Sequence, residues 1–182
     1  MRIIAGTAGG RRLKAPDTDG TRPATDRVRE AVFSSLGDFV VDSVVVDLYA
    51  GSGSYGLEAL SRGAASATFV ENGNAAIRAL SENIQTLGIG GEVHRSTVRQ
   101  FLDTNSGSFD LVFVDPPWPL ATEELEGDLL AIDPCLRPGG VVVASRRHTD
   151  RVPELPENWR VAAEKRYGDT RILRYQKETE DE

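Results

Sequence analysis

The stretch VVVDLYAGSGSYGLEALSRGA, residues 44–64, carries the clearest signal of a fold in this chain. Its first five residues are nearly continuous in apolar side chains, as in a strand that is covered on both faces. Gly51, Gly53 and Gly56 follow at the G-x-G-x-x-G spacing, and apolar residues at helical spacing come next. A glycine-rich turn between a strand and a helix predicts a ligand bound at the helix N-terminus.

Three more apolar runs repeat the strand pattern further along the chain: ATFVE (67–71), LVFVD (111–115) and VVVAS (141–145). Apolar residues at helical spacing lie between them, most clearly over 74–87. Strands that alternate with helices predict a mainly parallel sheet with helices on both sides. The fold class is therefore α/β and Rossmann-like.

The N-terminal end departs from this alternation. Residues 2–4 and 11–13 flank a glycine-rich turn and predict a small hairpin. A helix follows and begins at Thr25 or Asp26, both of which are good N-cap residues. We interpret residues 1–38 as a hairpin-and-helix extension.

The C-terminal end also departs from it. Residues 159–167 and 170–175 are joined by a two-residue Gly-Asp link, which is typical of a β-hairpin. The last strand is therefore predicted to run antiparallel to its neighbour. We expect a core over residues 39–177, a short acidic tail over 178–182, and one compact structural unit.

Composition fits a single globular domain: the 182 residues are 40% hydrophobic and 27% charged. Cys135 is the only cysteine, so the chain has no internal disulfide, and without a Cys/His cluster we assign no metal. The sequence has no apolar run of membrane-spanning length and no signal-peptide core at its start. These features predict a cytoplasmic protein.

Charge is unevenly distributed along the chain. The net charge is −7, but residues 1–29 carry seven basic and three acidic side chains, a local net charge of +4 that leaves −11 for the rest. A basic end on an acidic body suits an enzyme that contacts phosphates over one face. A solvated basic surface without a partner is the alternative.

Two carboxylates indicate which nucleotide cofactor binds. Glu71 ends the second predicted strand, where it can accept hydrogen bonds from both hydroxyls of a ribose. Asp47 lies in the apolar first strand, where its charge would favour a sulfonium and repel a pyrophosphate. The cofactor is thus predicted to be S-adenosylmethionine, although the glycine spacing alone also fits NAD. The predicted cofactor contacts are Asp47, Tyr49, Gly51, Gly53, Gly56, Glu71, Thr97 and Asp115.

The tetrapeptide DPPW, residues 115–118, comes at the end of the fourth predicted strand, on the edge where such sheets bind ligands. An aromatic amine is a poor nucleophile because its lone pair is delocalised into the ring. The Asp115 carboxylate and the Pro116 carbonyl can each accept one N–H, which holds the nitrogen pyramidal and stabilises the developing charge. The two prolines, Pro116 and Pro117, fix the backbone, and Trp118 offers a flat face for a base. The alternative is a Pro-Pro turn beside a packed tryptophan.

Basic residues occur in the N-terminal extension and directly after the fifth predicted strand. They are expected to grip RNA phosphates while the target base is turned into the pocket. The predicted RNA contacts are Arg11, Arg12, Arg22, Thr25, Arg27, Arg29, Arg146 and Arg147.

These motifs resemble those of known families. DPPW resembles the [DNS]-PP-[FYW] motif of amino-methyltransferases that modify bases or glutamine amides. The series RIIAGTAGGRRLKAP, TRPATDRVREAVFSSL, DLYAGSGSYGLEALSRGA, FVE and FVDPPW resembles the bacterial RsmD family, 16S ribosomal RNA guanine-N2 methyltransferases. The resemblance runs from Arg2 to about Tyr175, and its N-terminal RPATDRVRE stretch is specific to the family.

The resemblance implies a class I S-adenosylmethionine-dependent methyltransferase with a seven-stranded, mainly parallel sheet and an antiparallel last strand. It also implies transfer of a methyl group to N2 of a guanine in 16S rRNA, of the kind that acts on guanine 966. The N-terminal extension would face the RNA, Asp115 to Trp118 would hold the target amine, and the expected partner is the small ribosomal subunit or its assembly intermediate. We expect a monomer that does not bind membranes.

Other functions stay open at this point. The same chemistry could act on adenine N6, cytosine N4 or a protein glutamine, because DPPW does not separate these targets. The literal glycine pattern also allows an NAD-dependent oxidoreductase, although Asp47 and DPPW oppose it. A non-catalytic RNA-binding module is the third alternative.

Overall fold

A computed structural model describes residues 1–17 and 24–179 of the chain. Within these ranges, five α-helices and seven strands follow one another as α1 (Asp26–Leu36), β1 (Val44–Leu48), α2 (Ser54–Ser61), β2 (Ser66–Glu71), α3 (Asn74–Leu87), β3 (Glu92–Arg95), α4 (Val98–Thr104), β4 (Phe109–Val114), α5 (Thr122–Ile132), β5 (Leu136–Arg147), β6 (Trp159–Tyr167) and β7 (Thr170–Lys177). Short 3₁₀ turns over Gly37–Val40 and Asp133–Cys135 lead into β1 and β5.

The seven strands form one sheet in the order β3-β2-β1-β4-β5-β7-β6. The strands β1 to β5 pair in parallel, whereas β7 runs antiparallel to both β5 and β6. The predicted Rossmann-like fold and its antiparallel last strand are therefore confirmed. The predicted helix over 74–87 has those bounds in the structure.

Two layers of apolar side chains cover the sheet. The first packs α1, α2 and α3 on one face, and the second packs α4 and α5 on the other. Successive residues of a strand point to opposite faces, so Val45 belongs to the first layer and Val46 and Leu48 to the second. Asp47 lies between Val46 and Leu48 in the strand, so its side chain points to the opposite face, toward the α1–α3 layer.

The predicted N-terminal hairpin is short: one antiparallel bridge joins Arg2 to Arg12, flanked by backbone hydrogen bonds of 2.9 and 3.1 Å between residues 1–3 and 11–13. The backbone N–H groups of Ile4 and Ala5 instead donate to the buried Glu58 carboxylate on α2, at 2.8 and 3.1 Å. Because these groups are used by α2, they do not extend a two-stranded ladder. The extension packs on the core through them.

The first helix begins as predicted, with Thr25 as its N-cap. The Thr25 Oγ1 accepts a hydrogen bond from Val28 N at 3.3 Å.

Among the residues that the structure describes, no helix has both the length and the apolar character needed to cross a bilayer.

Candidate active site

The glycine loop, residues 49–53, joins β1 to α2 at the carboxyl edge of the sheet. Gly53 has a φ of +85°, and a Cβ there would lie 2.4 Å from Leu80 Cδ1. A Cβ at Gly56, on the first turn of α2, would lie 2.4 Å from Phe69 Cε1. Gly51 also has a positive φ, but a Cβ there would meet nothing within 4 Å. Two glycines thus let α2 pack closely, and the third leaves open space above the loop.

Glu71 ends β2 and binds the glycine loop. Its Oε2 accepts a hydrogen bond from Gly51 N at 2.8 Å, while its Oε1 accepts from Asn72 N and Gly73 N at 2.9 and 2.8 Å. A carboxylate has about four acceptor sites, so three backbone donors leave capacity for a further hydroxyl group. Glu71 therefore shapes the loop and can still accept from a ligand.

Asp47 is only 1% exposed, and its Oδ2 accepts a hydrogen bond from Gly56 N at 2.9 Å. Burial raises the pKa of Asp47 well above its usual value; the Gly56 hydrogen bond opposes this, and the charges of Asp115 and Glu71 add to it. The side chain thus binds a backbone N–H in the first turn of α2. A direct contact between Asp47 and the cofactor stays a prediction.

A cleft of about 320 Å³ opens beside the glycine loop. This volume lies within the range of about 300–1,000 Å³ that is typical of small-molecule sites. It brings together three predicted contacts, Tyr49, Glu71 and Thr97. The other predicted contacts do not line it: Asp47, Gly51, Gly53, Gly56 and Asp115. The remaining lining residues are Val70, Asn72, Ser96, Val98, Arg99, Leu120, Glu124 and Asp128.

The polar groups of this cleft fit an adenosyl cofactor. Ser96 has a buried Oγ without a hydrogen-bond partner in the part of the chain that the structure describes, so a ligand hydroxyl or amine can satisfy it. Thr97 caps α4 in a capping box with Gln100, which places its side chain at the cleft wall. Together with the remaining acceptor capacity of Glu71, these groups suit a ribose and a base.

Tyr49 is held in a backbone conformation that is rare outside glycine, with a φ of 59°. Its hydroxyl donates to Asp128 Oδ2 on α5 at 2.5 Å. Burial and this hydrogen bond raise the pKa of Tyr49 above its usual value. The pair closes one side of the cleft, and Asp128 carries no sequence signal because it lies in the middle of an ordinary amphipathic helix.

The DPPW loop, residues 115–121, leaves β4 next to the end of β5. Asp115 is half-buried, and its Oδ1 accepts a hydrogen bond from the Ser145 hydroxyl. Burial raises the pKa of Asp115, and the Ser145 hydrogen bond opposes that shift. Of the described residues, none donates a hydrogen bond to the Pro116 carbonyl, so both predicted acceptors of the amine have capacity left.

Trp118 is half-buried, and the guanidinium of Arg147 lies over its ring, 4.7 Å from the ring centroid. This cation–π contact joins the DPPW loop to the end of β5. Arg147 itself is exposed, so it can also meet phosphate.

Two predicted RNA contacts point into the protein instead. Arg29 is 0% exposed and donates to Arg2 O at 2.7 Å and to Asp26 Oδ1 at 2.6 Å. Arg146 is 3% exposed and donates to Leu120 O at 2.8 Å, which fixes the end of the DPPW loop. Because neither guanidinium is on the surface, we remove both from the RNA-binding set.

The other predicted RNA contacts are scattered. Arg11 donates to Thr86 O at 2.6 Å, at the end of α3. Helices that connect parallel strands run back along the sheet, so this position lies at the edge opposite the site. Arg12, Arg27 and Thr25 are exposed. Arg22, which was also predicted to contact RNA, lies outside the described residues.

Comparison with known proteins agrees with this architecture. The chain matches the family described as conserved hypothetical protein 95 over residues 1–176. It is 38% identical over 183 residues to ribosomal RNA small subunit methyltransferase D of Escherichia coli K12, covering 100% of this chain and 92% of that protein.

Two solved structures share the fold. A putative methyltransferase from Escherichia coli superposes with a TM-score of 0.89 at 36% identity and covers 99% of both chains. A putative SAM-dependent methyltransferase from Streptococcus mutans superposes with a TM-score of 0.68 at 9% identity, over 79% of this chain and 48% of that one. The second likeness concerns the fold alone.

Proposed function

Because this chain belongs to the RsmD family, described as conserved hypothetical protein 95, we propose that it methylates N2 of a guanine in small-subunit ribosomal RNA. Membership of a methyltransferase family disfavours the NAD-dependent oxidoreductase and the non-catalytic RNA-binding module. S-adenosylmethionine is the cofactor, as the sequence predicted. When bound, it supplies a methyl group that is already activated on a sulfonium sulfur.

The observation that carries the proposal is the arrangement of the DPPW loop beside the cofactor cleft. Leu120, in this loop, lines the cleft, so the loop is shared between the two parts of the site. Asp115 and the Pro116 carbonyl accept the two N–H groups of the target amine, which directs the nitrogen lone pair away from the ring. After transfer the nitrogen carries a surplus proton, for which the Asp115 carboxylate is the base that the chain offers at this place.

The aromatic pocket and the cations complete the site. Trp118 stacks on the flipped base, and Arg147 moves from the tryptophan ring to a phosphate of the RNA that carries this base. Arg27 binds the RNA backbone further along this edge. Glu71 and Thr97 hold the adenosine part of the cofactor.

The setting follows from the same proposal. The protein acts in the cytoplasm as a monomer, on the small ribosomal subunit or an intermediate of its assembly. N2 of guanine 966 of 16S rRNA is the expected target, in preference to adenine N6, cytosine N4 or a protein glutamine.

One experiment separates these targets. The protein and tritiated S-adenosylmethionine are incubated with small subunits, and in parallel with protein-free 16S rRNA, from cells that lack this activity. The label is then mapped by nuclease digestion and nucleoside chromatography. We expect N2-methylguanosine at one position; label in N6-methyladenosine, N4-methylcytidine or ribosomal protein would contradict the proposal.

A further inference from the structure

We propose that Ser145 is the positioning residue for Asp115: its hydroxyl holds one carboxylate oxygen so that the other is presented to the target amine. This inference rests on the proposed function, because it takes Asp115 as the group that accepts the amine N–H. The sequence motif contains Asp115 but not its partner, which comes from another strand.

Strand register brings the two side chains together. Val114 pairs with Ala144 across the parallel strands β4 and β5, so the next residue of each strand lies beside the other. Ser145 is also paired with Ile172 of β7, and it is 7% exposed. Its backbone is thus held by β7, and that of the preceding Ala144 is held by β4 as well, which makes Ser145 a fixed donor rather than a mobile one.

Hydrogen-bond accounting shows what the contact does. A serine hydroxyl has one hydrogen, and Ser145 gives it to Asp115 Oδ1. No residue within the described ranges donates to Asp115 Oδ2. Rotation of the carboxylate would break the Ser145 contact, so this contact selects one orientation and leaves one oxygen for a ligand.

The surroundings make such a donor necessary. Asp115 follows Phe113 by two residues and faces the α1–α3 layer, where Tyr55 stacks on the Phe113 ring with 4.9 Å between ring centroids. Asp47 on β1 and the Tyr55 hydroxyl on α2 interact electrostatically with Asp115, and the buried guanidinium of Arg29 on α1 interacts with the Tyr55 hydroxyl.

Burial favours a protonated Asp115, which would present a hydrogen rather than a lone pair to the amine. A hydroxyl donor favours the ionised carboxylate. Ser145 therefore keeps Asp115 in the state that accepts an N–H group, in addition to orienting it.

The test compares Ser145→Ala with Ser145→Thr, which restores the hydroxyl. Methyl transfer to rRNA is measured as kcat and KM across pH. Ser145→Ala should lower kcat about tenfold or more, the loss expected for one hydrogen bond to a charged group. The KM for the cofactor should change little, and the acidic limb of the rate profile should move to higher pH. Ser145→Thr should recover most of both effects.

A second measurement does not depend on activity. The carboxyl carbon of Asp115 is titrated by NMR in the protein alone, with Asp115→Asn used to assign the signal. Its midpoint should rise in Ser145→Ala. The matched control is Ser43→Ala, which removes another buried serine hydroxyl, bonded to Val40 O at 2.7 Å before β1. This control should leave both the midpoint and the rate profile unchanged.

The outcomes separate the two proposals. An unchanged kcat and an unchanged Asp115 midpoint in Ser145→Ala would overturn the role of Ser145, as would equal shifts in the Ser43→Ala control. If Ser145→Thr folds, as judged by its melting temperature, and behaves like the alanine variant, the hydroxyl is not the cause and the inference fails. Absence of methyl transfer by the unsubstituted protein would instead contradict the proposed function, while the titration would still report the contact.

Discussion

The glycine loop and the DPPW loop leave the neighbouring strands β1 and β4 at the same edge of the sheet, but their polar groups are used differently. Around the glycine loop, Glu71 accepts the N–H of Gly51 and two N–H groups that follow β2, and Asp47 accepts one N–H from the first turn of α2. In the DPPW loop, Asp115 accepts one side-chain hydroxyl, and the Pro116 carbonyl accepts no donor from the described residues. The carboxylates around the glycine loop are thus already hydrogen-bonded within the protein, whereas the DPPW loop has hydrogen-bond acceptors that remain available to a ligand.

The contrast between the two loops predicts which property of the protein each substitution should affect. Changes in the internally bonded glycine loop should reduce stability and cofactor affinity together, because the same hydrogen bonds serve both. Changes in the DPPW loop should reduce the rate of methyl transfer and leave folding and cofactor binding nearly intact.

Asp115→Ala should have the strongest effect, and it tests most directly whether the two loops have separate functions. We expect methyl transfer to fall at least about 10³-fold, because an acceptor used in the transition state is lost. The affinity for S-adenosylhomocysteine, measured by calorimetry, should change less than about twofold. Asp38→Ala, an exposed aspartate in the turn before β1, is the control and should keep full activity. A large loss of cofactor affinity in Asp115→Ala would show that the two loops are not separate in function.

Glu71→Gln should have the next largest effect. It replaces one carboxylate oxygen with an NH₂ group, so either Gly51 N or the pair Asn72 N and Gly73 N faces a donor. Cofactor affinity should fall about 30-fold, or about 2 kcal/mol, and the melting temperature should fall as well. Glu92→Gln, at the exposed start of β3, should change neither. Loss of affinity at an unchanged melting temperature would separate the two roles of Glu71 that the structure joins.

Gly53→Ala tests how much the close packing of the glycine loop contributes to the stability of the fold. The added Cβ would overlap Leu80 Cδ1 in a backbone conformation with φ of +85°, so unfolding by urea should show a loss of about 2–3 kcal/mol. Gly10→Ala has nearly the same φ, +83°, with nothing within 4 Å of the added Cβ. This control should cost only the backbone part, about 1 kcal/mol. Equal losses would mean that close packing at Gly53 contributes nothing.

The smallest expected effect concerns RNA. Arg27→Ala removes an exposed cation near the start of α1 and should weaken rRNA binding about fivefold, with a salt dependence reduced by about one ion. Cofactor affinity and melting temperature should not change. Arg160→Ala, an exposed arginine on the outer strand β6, should bind RNA normally. An equal loss in both variants would indicate a diffuse attraction rather than a defined RNA face.

Much of the fold could be predicted from the sequence because apolar periodicity reports which residues are covered. The bounds of α3 and the antiparallel end of the sheet follow from that pattern and from the Gly-Asp turn. The short hairpin of the extension also follows from the local pattern, whereas the contact of its backbone with Glu58 is a tertiary contact that no local pattern shows.

The site was predicted less completely. Charge alone suggested that Arg29 and Arg146 bind RNA, but their positions carry the opposite signal. Arg29 lies four residues before Phe33 and seven before Leu36, on the apolar stripe of α1. Arg146 lies on the same face of β5 as Val142 and Ala144, whose side chains lie in the α4–α5 layer. Ser145 had no motif to mark it, because its role depends on the register of two strands.

The position of β7 has a consequence for biosynthesis. Residues 170–177 enter the sheet between β5 and β6, and β6 pairs with β7 alone. While the nascent chain is still emerging, β5 keeps one row of backbone groups unpaired and β6 has nowhere to dock. Strand β5, which carries Ser145, therefore gains its second neighbour late in synthesis. A truncated translation product would expose the unpaired edge of β5 to aggregation and to proteases.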